Sequence, residues 1–386
     1  MSDHWKQIEK EMESIRAKNL YRQCKVTTGI DFCSNDYLGL SKHPELALAF
    51  KNALENETVG STAARLVRGH RQIMEDWENE FSLFVSSEAS LTVANGFVAN
   101  FGLIDTISDS RTMIFTDRLN HASILDGIRI SGAIKKYYNH LDLDHLEEQL
   151  ERAIVGEDTK SKKKIIVSES LFSMDGDKPN LQRLVALKKK YNTVLVLDEA
   201  HSFGVFGEKG RGMAFADLSR EEIESIDYRI YTLGKSLGLE GGIIATTKLG
   251  RDHLVNRMRS FIFSTASMPA IYAAAIKSLS LLRNMGQERI HLLHIADILR
   301  MGLVEHGFAV APTISHIIPI LMDSEEQALY YSAELQKEGL DVRAIRPPTV
   351  PTPRLRVSLN ATIQESDIRN LLANLIRIRE GKKANF

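Results

Sequence analysis

Asp198, His201 and Lys235 each follow a short run of apolar and β-branched residues, where a strand should end. The first run is Thr193-Val-Leu-Val-Leu-Asp198, an unbroken apolar stretch that suits a parallel strand buried on both faces. The second, Tyr228–Leu233, breaks at Gly234 and delivers Lys235. In an open α/β sheet the binding crevice lies beyond the carboxyl ends of the strands, so Asp198 and Lys235 should face one crevice. A lysine amine there can form a Schiff base, and a carboxylate can keep a pyridine nitrogen protonated. Both are requirements of pyridoxal 5′-phosphate chemistry. His201 is within reach of a ring substituent or a bound carbonyl. Singly, a strand-end Asp is an ordinary turn residue and Gly-Lys-Ser an ordinary solvated loop; only their combination points to a site.

The same letters admit one competing reading. Asp198-Glu-Ala-His201 is spelled like a helicase motif, and Gly234-Lys235-Ser236 like the end of a phosphate-binding loop. Such a loop needs G-x-x-x-x-G-K-[ST], whose backbone N–H groups cradle the phosphates. Here Arg229, inside an expected strand, occupies the first glycine position, and the two motifs come in the wrong order. The helicase reading fails.

The elements that must position these residues can be traced along the chain. Residues 4–23 carry a helical pattern, with Arg22 near its end. A short strand at Ile30 leads into the turn Asn35-Asp36-Tyr37. Helices are expected over Ala47–Asn56 and Gln72–Phe84, around a small-residue loop, Val59–His70. From about residue 90 to 246, strands alternate with helices, which argues for a mostly parallel sheet covered on both faces. Its strands include Thr112–Asp117 and Lys164–Glu169; helices fall at Asp142–Ile154 and Leu181–Tyr191, with a charged loop over Glu157–Lys164. Asn95-Gly96-Phe97 opens a helix, and a glycine there lets backbone N–H groups approach an anion, so the cofactor phosphate is expected at this turn. His121, beyond a strand end, can stack on an aromatic ring. After the loop Ile262–Pro269 and a helix over Ala270–Arg283 the rhythm changes. Residues 285–386 read as helix 288–306, strands 308–311 and 316–322, helix 325–338, strand 340–345, a final strand from Arg354 and a closing helix. The expected division is an arm (1–45), a large cofactor-binding domain (46–284) and a smaller α+β domain (285–386).

Composition sets further bounds. In 386 residues, 43% are apolar, enough for a sizeable core. Lys+Arg at 49 against Asp+Glu at 50 gives no electrostatic case for nucleic acid or an anionic membrane. The charged start, Met1–Lys6, lacks a signal-peptide core, and no apolar run approaches the roughly 18 residues of a membrane span. Cys24 and Cys33 have no C-x-x-C spacing, so no metal site is expected. A cytoplasmic enzyme is the expectation.

Six segments then carry a resemblance: Ser34-Asn-Asp-Tyr-Leu-Gly39, Asp117-Arg-Leu-Asn-His-Ala-Ser123, Phe172-Ser-Met-Asp-Gly-Asp177, Asp198–His201, Thr232-Leu-Gly-Lys235 and Ile345-Arg-Pro-Pro-Thr-Val-Pro351. Over nearly its whole length the chain resembles the α-oxoamine synthases, fold-type-I pyridoxal-phosphate enzymes that condense an amino acid with an acyl thioester. The resemblance implies an α/β fold with a large, mostly parallel sheet domain and a smaller α+β C-terminal domain, assembled as a homodimer with shared active sites. It implies Lys235 as Schiff-base lysine and acid/base, Asp198 as pyridinium partner, His121 as the stacking residue and His201 on the ring oxygen. Gly96, Phe97 and Thr232 would serve the phosphate, with Asn95 at the same turn where the family usually has Ser; Thr265 would reach the phosphate from the neighbouring subunit, and Glu169 and Ser173 would line the cofactor site. Arg356, with Asn35 beside it, would hold the amino-acid carboxylate, with Arg354 as the alternative register. Arg22 would meet the acyl-chain end, and Thr349 would contact substrate. Ile345–Pro351 points to the subgroup using L-alanine and a pimeloyl thioester, on coenzyme A or a carrier protein. Relatives using glycine or a long-chain acyl thioester are the alternative, and a non-catalytic subunit that kept the fold is a further one.

Overall fold

The computed structural model describes residues 2–383, apart from Asn19, Glu157 and Thr159, and of Lys382 and Lys383 only the backbone. Its strands are β1 (Ile30–Asp31), β2 (Ala89–Val93), β3 (Thr112–Asp117), β4 (Ile134–Tyr138), β5 (Lys163–Glu169), β6 (Val194–Asp198), β7 (Tyr228–Thr232), β8 (Gly242–Thr246), β9 (Ile317–Leu321), β10 (Leu340–Asp341), β11 (Arg343–Ile345) and β12 (Arg354–Ser358). The main sheet has seven strands in the order β2-β8-β7-β6-β5-β3-β4. All run parallel except β8, which is antiparallel to both its neighbours.

Alternate residues of these strands enter different cores, as the two-residue period of a pleated strand requires. Ile114, Val167, Val196 and Ile230 pack with Ala99, Leu103 and Ile124 of the helices Gly96–Ile107 and Ala122–Ser131. Phe115, Ile166, Leu195 and Leu197 pack against Leu146, Leu150 and Leu184 of the helices Leu143–Val155 and Leu181–Lys190. Each fully buried side chain of this kind contributes about 1.5–3 kcal/mol. With both faces covered, the open end of the sheet, at the strands' carboxyl ends, is the natural place for a ligand.

A second, three-stranded sheet, β11-β12-β9, is antiparallel. The N-terminal segment is stitched to it. Strand β1 pairs in parallel with β10, Phe32 N donates to Asp341 O (3.1 Å), and Ser358 N donates to Phe32 O (2.8 Å). Gly29 makes this possible: its φ is +99°, and a Cβ there would sit 2.2 Å from Gly339 O. Residues 32–37 are thereby carried alongside β12, which bears Arg356.

Four local expectations are corrected. The first helix ends at Ala17, not residue 23, leaving Arg22 on an exposed irregular segment. No strand forms over 308–311, where Val310 makes only an isolated bridge to Ile320. The expected strand 340–345 is divided between two sheets, β10 and β11. Strand β4 has no counterpart among the expected elements, because its Lys135 and Lys136 interrupt the apolar run on an edge strand. In the charged loop Glu157–Lys164, Glu157 and Thr159 lie outside the described residues.

A charged clasp fixes the loops beyond β3 and β5. His140 hydrogen-bonds Asp117 through Nδ1 (2.9 Å) and Asp177 through Nε2 (3.0 Å). Burial disfavours its charge, but the two carboxylates outweigh that and raise its pKa to about 10. A raised histidine stabilises fully below its unfolded value of about 6.5, and the gain disappears as pH rises through the folded value. Replacing His140 with Ala should cost about 2 kcal/mol near pH 6 in urea denaturation, with the gap to wild type narrowing toward pH 10. A gap independent of pH would refute the charged clasp.

Candidate active site

The register of the parallel strands brings the site together. Glu169 and Asp198 are paired residues at the ends of β5 and β6, and β7 ends beside them at Thr232, three residues before Lys235. A cavity of about 200 Å³ opens there, bounded by Gly96, Asn100, His121, Asp198, Thr232 and Lys235, with Phe97, Glu169 and His201 completing the wall. Asp198 and Lys235, expected to face one crevice, both line this cavity, and His201 lines it with them.

Asp198 is held on both oxygens. Oδ1 accepts from Ala200 N (2.8 Å), and Oδ2 from Asn100 Nδ2 (2.6 Å). Glu169 accepts from His121 N (2.7 Å); burial, then the nearby Asp198 charge, push its pKa up to about 8. Burial pushes Lys235 down to about 8 against the pull of Asp198 and Glu169, with Arg356 adding to the depression. His121 is lowered by burial and by Lys235, against Asp198, and its Nδ1 shares a hydrogen bond with Ser123 Oγ (2.7 Å).

A chain of hydrogen bonds leads away from the lysine. Lys235 Nζ lies 2.8 Å from His201 Nε2, His201 Nδ1 lies 2.6 Å from Tyr37 Oη, and Tyr37 donates to Asn35 Oδ1 at 3.2 Å. Asn35 Oδ1 also accepts from Arg356 Nη2 (3.2 Å), whose Nε donates to Ser173 O (2.7 Å). His201 is buried and, through burial and the Lys235 and Arg356 charges, held well below the usual histidine value, so it is neutral. One proton arrangement serves every atom: Lys235 donates to Nε2, Nδ1–H donates to Tyr37, and Tyr37 donates to Asn35. Lys235 is thus linked to Arg356.

Arg356 is 7% exposed and has no carboxylate partner among the described residues, whereas Arg354 is paired with Asp175. The register left open between these two arginines favours Arg356 as the group free to receive a carboxylate. Ser173 and Thr349 line a neighbouring cleft that shares His121 with the first cavity. Asn95 caps the helix Gly96–Ile107 by accepting from Val98 N (2.9 Å) and does not line the cavity. Thr265 is exposed beside Arg65, and Arg22 borders neither space.

Tyr37 and Asn100 were not singled out from sequence. Asn100 carried a usable signal, being an amide inside the apolar helix run Phe97-Val-Ala-Asn-Phe-Gly-Leu-Ile. Tyr37 carried none, because its partner His201 is 164 residues away.

The residues fit a phosphorylated pyridine aldehyde. A helix begins at Gly96, where a Cβ would crowd Thr232 at 3.3 Å, leaving backbone N–H groups open to a phosphate. An oriented carboxylate, a neutral imidazole and an amine of lowered pKa line one cavity, the set of groups that a ring nitrogen, a ring oxygen and an aldehyde would require. Fold and site define a fold-type-I pyridoxal-phosphate-dependent transferase.

Comparison narrows the class. The family model for aminotransferase class I and II matches residues 27–375. An 8-amino-7-oxononanoate synthase from Geobacter sulfurreducens is 38% identical over 385 residues, covering 95% of this chain and 96% of its own. A serine palmitoyltransferase from S. paucimobilis, solved with PLP and myriocin bound, superposes with a TM-score of 0.88 at 27% identity, over 97% of each chain. The Francisella tularensis 8-amino-7-oxononanoate synthase superposes at 0.79 with 28% identity, over 93% of this chain and 99% of that one. This chain belongs to the 8-amino-7-oxononanoate synthase family of pyridoxal-phosphate enzymes.

Two tests follow from this geometry. Covalent loading of the apoprotein with pyridoxal phosphate needs the neutral amine, and a depressed lysine is neutral above its folded pKa. The loading rate should therefore rise through about pH 8 and level above it; a rate still climbing toward pH 10 would show an ordinary lysine. Tyr37→Phe breaks the bond to His201 and should lower kcat roughly 10-fold with an unchanged circular dichroism spectrum. An unchanged kcat would show the chain of hydrogen bonds to be idle.

Proposed function

We propose that the chain condenses L-alanine with a pimeloyl thioester, carried by coenzyme A or a carrier protein, to give 8-amino-7-oxononanoate, CO₂ and free thiol, a step of biotin synthesis. The observation that carries the reading is the coupling of a lysine of depressed pKa to a buried arginine that has no carboxylate partner among the described residues. An amino acid bound there has its carboxylate on one charge and its Cα proton near the other. Full-length identity to relatives of that name supports the same reaction.

Bound in the cavity, pyridoxal phosphate supplies an electron sink for the amino-acid Cα. The chain's residues do the rest. Asp198, fixed by Asn100 and Ala200, keeps a proton on the ring nitrogen. His121 would cover the ring face, and Gly96, Phe97 and Thr232 would receive the phosphate. Arg356, steadied by Asn35 and Ser173 O, holds the alanine carboxylate, as a paired guanidinium fork can. Lys235 Nζ takes the Cα proton. Cα then bonds to the acyl carbonyl carbon, the thiolate leaves and is protonated, CO₂ departs from Cα, and Nζ returns a proton there. Neutral His201 keeps the amine placed without competing for its proton. Glu169 anchors the backbone of His121. We assign Thr265 to the phosphate across the subunit boundary of a homodimer, in keeping with its position outside the cavity of its own chain.

A second reading keeps the fold and changes the acyl group. It draws on the higher TM-score to the serine palmitoyltransferase than to the F. tularensis synthase, 0.88 against 0.79. Mass spectrometry of the products separates them: alanine with pimeloyl-CoA should give 8-amino-7-oxononanoate with one CO₂ per thiol. Arg356→Ala should raise the alanine KM roughly 10- to 100-fold and leave the thioester KM nearly unchanged. Preferred turnover of glycine or of a long-chain acyl thioester, or a shift in the thioester KM alone, would overturn the assignment.

A further inference from the structure

The cleft beside the cavity has a composition that the reaction at Lys235 does not explain. It is about 640 Å³ in volume, and Leu119, Leu125, Phe172, Met174 and Val350 make much of its wall apolar. His121 lines both spaces, so the cleft adjoins the cavity that holds Lys235. Two charged side chains also line it, Asp175 and Arg118. Asp175 is already neutralised, because Arg354, only 3% exposed, is bonded to it. Arg118 is different. Among the described residues its guanidinium has no hydrogen-bond or ion-pair partner, and it is exposed at the cleft.

Its backbone, by contrast, is firmly held. Arg118 N donates to Tyr138 O (3.2 Å), Leu119 N to Asp117 Oδ1 (2.8 Å), and Asn120 Nδ2 to Val167 O (2.8 Å). The turn that fixes His121 at the cofactor therefore also fixes Arg118, three residues earlier.

Building on the function proposed above, the chemistry of the acyl group supplies a partner. A pimeloyl chain has a thioester at one end, five methylenes, and an ionised carboxylate at the other. The methylenes gain by lying on an apolar wall; the carboxylate loses its water there and needs a cation or donors in exchange. An arginine offers a planar pair of donors matched to a carboxylate. We propose that Arg118 binds the distal carboxylate of the acyl chain and so selects a dicarboxylic over a monocarboxylic thioester. Arg22, expected at that end from the sequence, borders neither the cleft nor the cavity.

The test compares pimeloyl-CoA with its distal methyl ester, which keeps the shape and removes the charge, at saturating alanine. For Arg118→Gln, kcat/KM on the free acid should fall roughly 10- to 100-fold, and on the ester less than about 2-fold. Arg118→Lys should recover part of the loss. The same selective loss is expected with the N-acetylcysteamine thioester of pimelate, which has no phosphate. Equal losses on acid and ester, or a loss seen with coenzyme A but not with N-acetylcysteamine, would overturn the proposal in favour of a structural or carrier-binding arginine. If wild type turns over neither pimeloyl compound while loading cofactor normally, the underlying function fails, and this assignment with it. If wild type turns over the acid and Arg118→Gln keeps the same acid-to-ester ratio, only the role of Arg118 fails.

Discussion

An amine that must be neutral to react, held beside two buried carboxylates that favour its charge, is the constraint around which this molecule is arranged. Burial wins: Lys235 falls to about 8 despite Asp198 and Glu169. The balance depends on where those carboxylates are pinned. Asp198 is engaged by Asn100 and Ala200, and Glu169 by the backbone of His121, so neither closes on the lysine as a simple ion pair. The pairing of Glu169 with Asp198 across β5 and β6 sets this spacing. A slip of one residue in either strand would turn that strand's carboxylate to the opposite face of the sheet.

The second dependence is long-range. Arg356 is on β12 and Lys235 beyond β7, and the link between them runs through Asn35 and Tyr37. That segment stays in place because β1 pairs with β10 and Phe32 bonds backbone groups of both Asp341 and Ser358. The N-terminal segment thus belongs to the framework that links Arg356 to Lys235. On the function proposed here, a carboxylate on Arg356 would alter the charge facing His201 and Lys235 and so give substrate binding a route to the amine.

Much of this was legible in the sequence because strand ends and chemistry coincide there. The apolar runs closing on Asp198 and before Lys235, the helix start at Gly96 and the helix Gln72–Phe84 all express local patterns that the fold keeps. The six segments shared with the α-oxoamine synthases named the cofactor and the family. What escaped depended on distant partners. The strand at Ile134–Tyr138 forms because β3 offers an edge, not because its lysines favour it. The single run at 340–345 divides because β1 and β12 compete for its two halves. Tyr37, Asn100 and His140 are ordinary residues in their own neighbourhoods, and acquire roles only through His201, Asp198 and the two aspartates 117 and 177. The choice between Arg354 and Arg356 was likewise beyond the sequence, since Asp175, which engages Arg354, is 179 residues away.

The central claim is that the amine at position 235 is the one joined to the cofactor. Reducing the holoprotein with borohydride makes that bond permanent, and peptide mass spectrometry then finds the lysine carrying the added pyridoxyl phosphate. The account predicts a single modified site, Lys235, and no label when that residue is Ala. Label on any other lysine of the wild-type protein, or undiminished label in the Lys235→Ala variant, would contradict it.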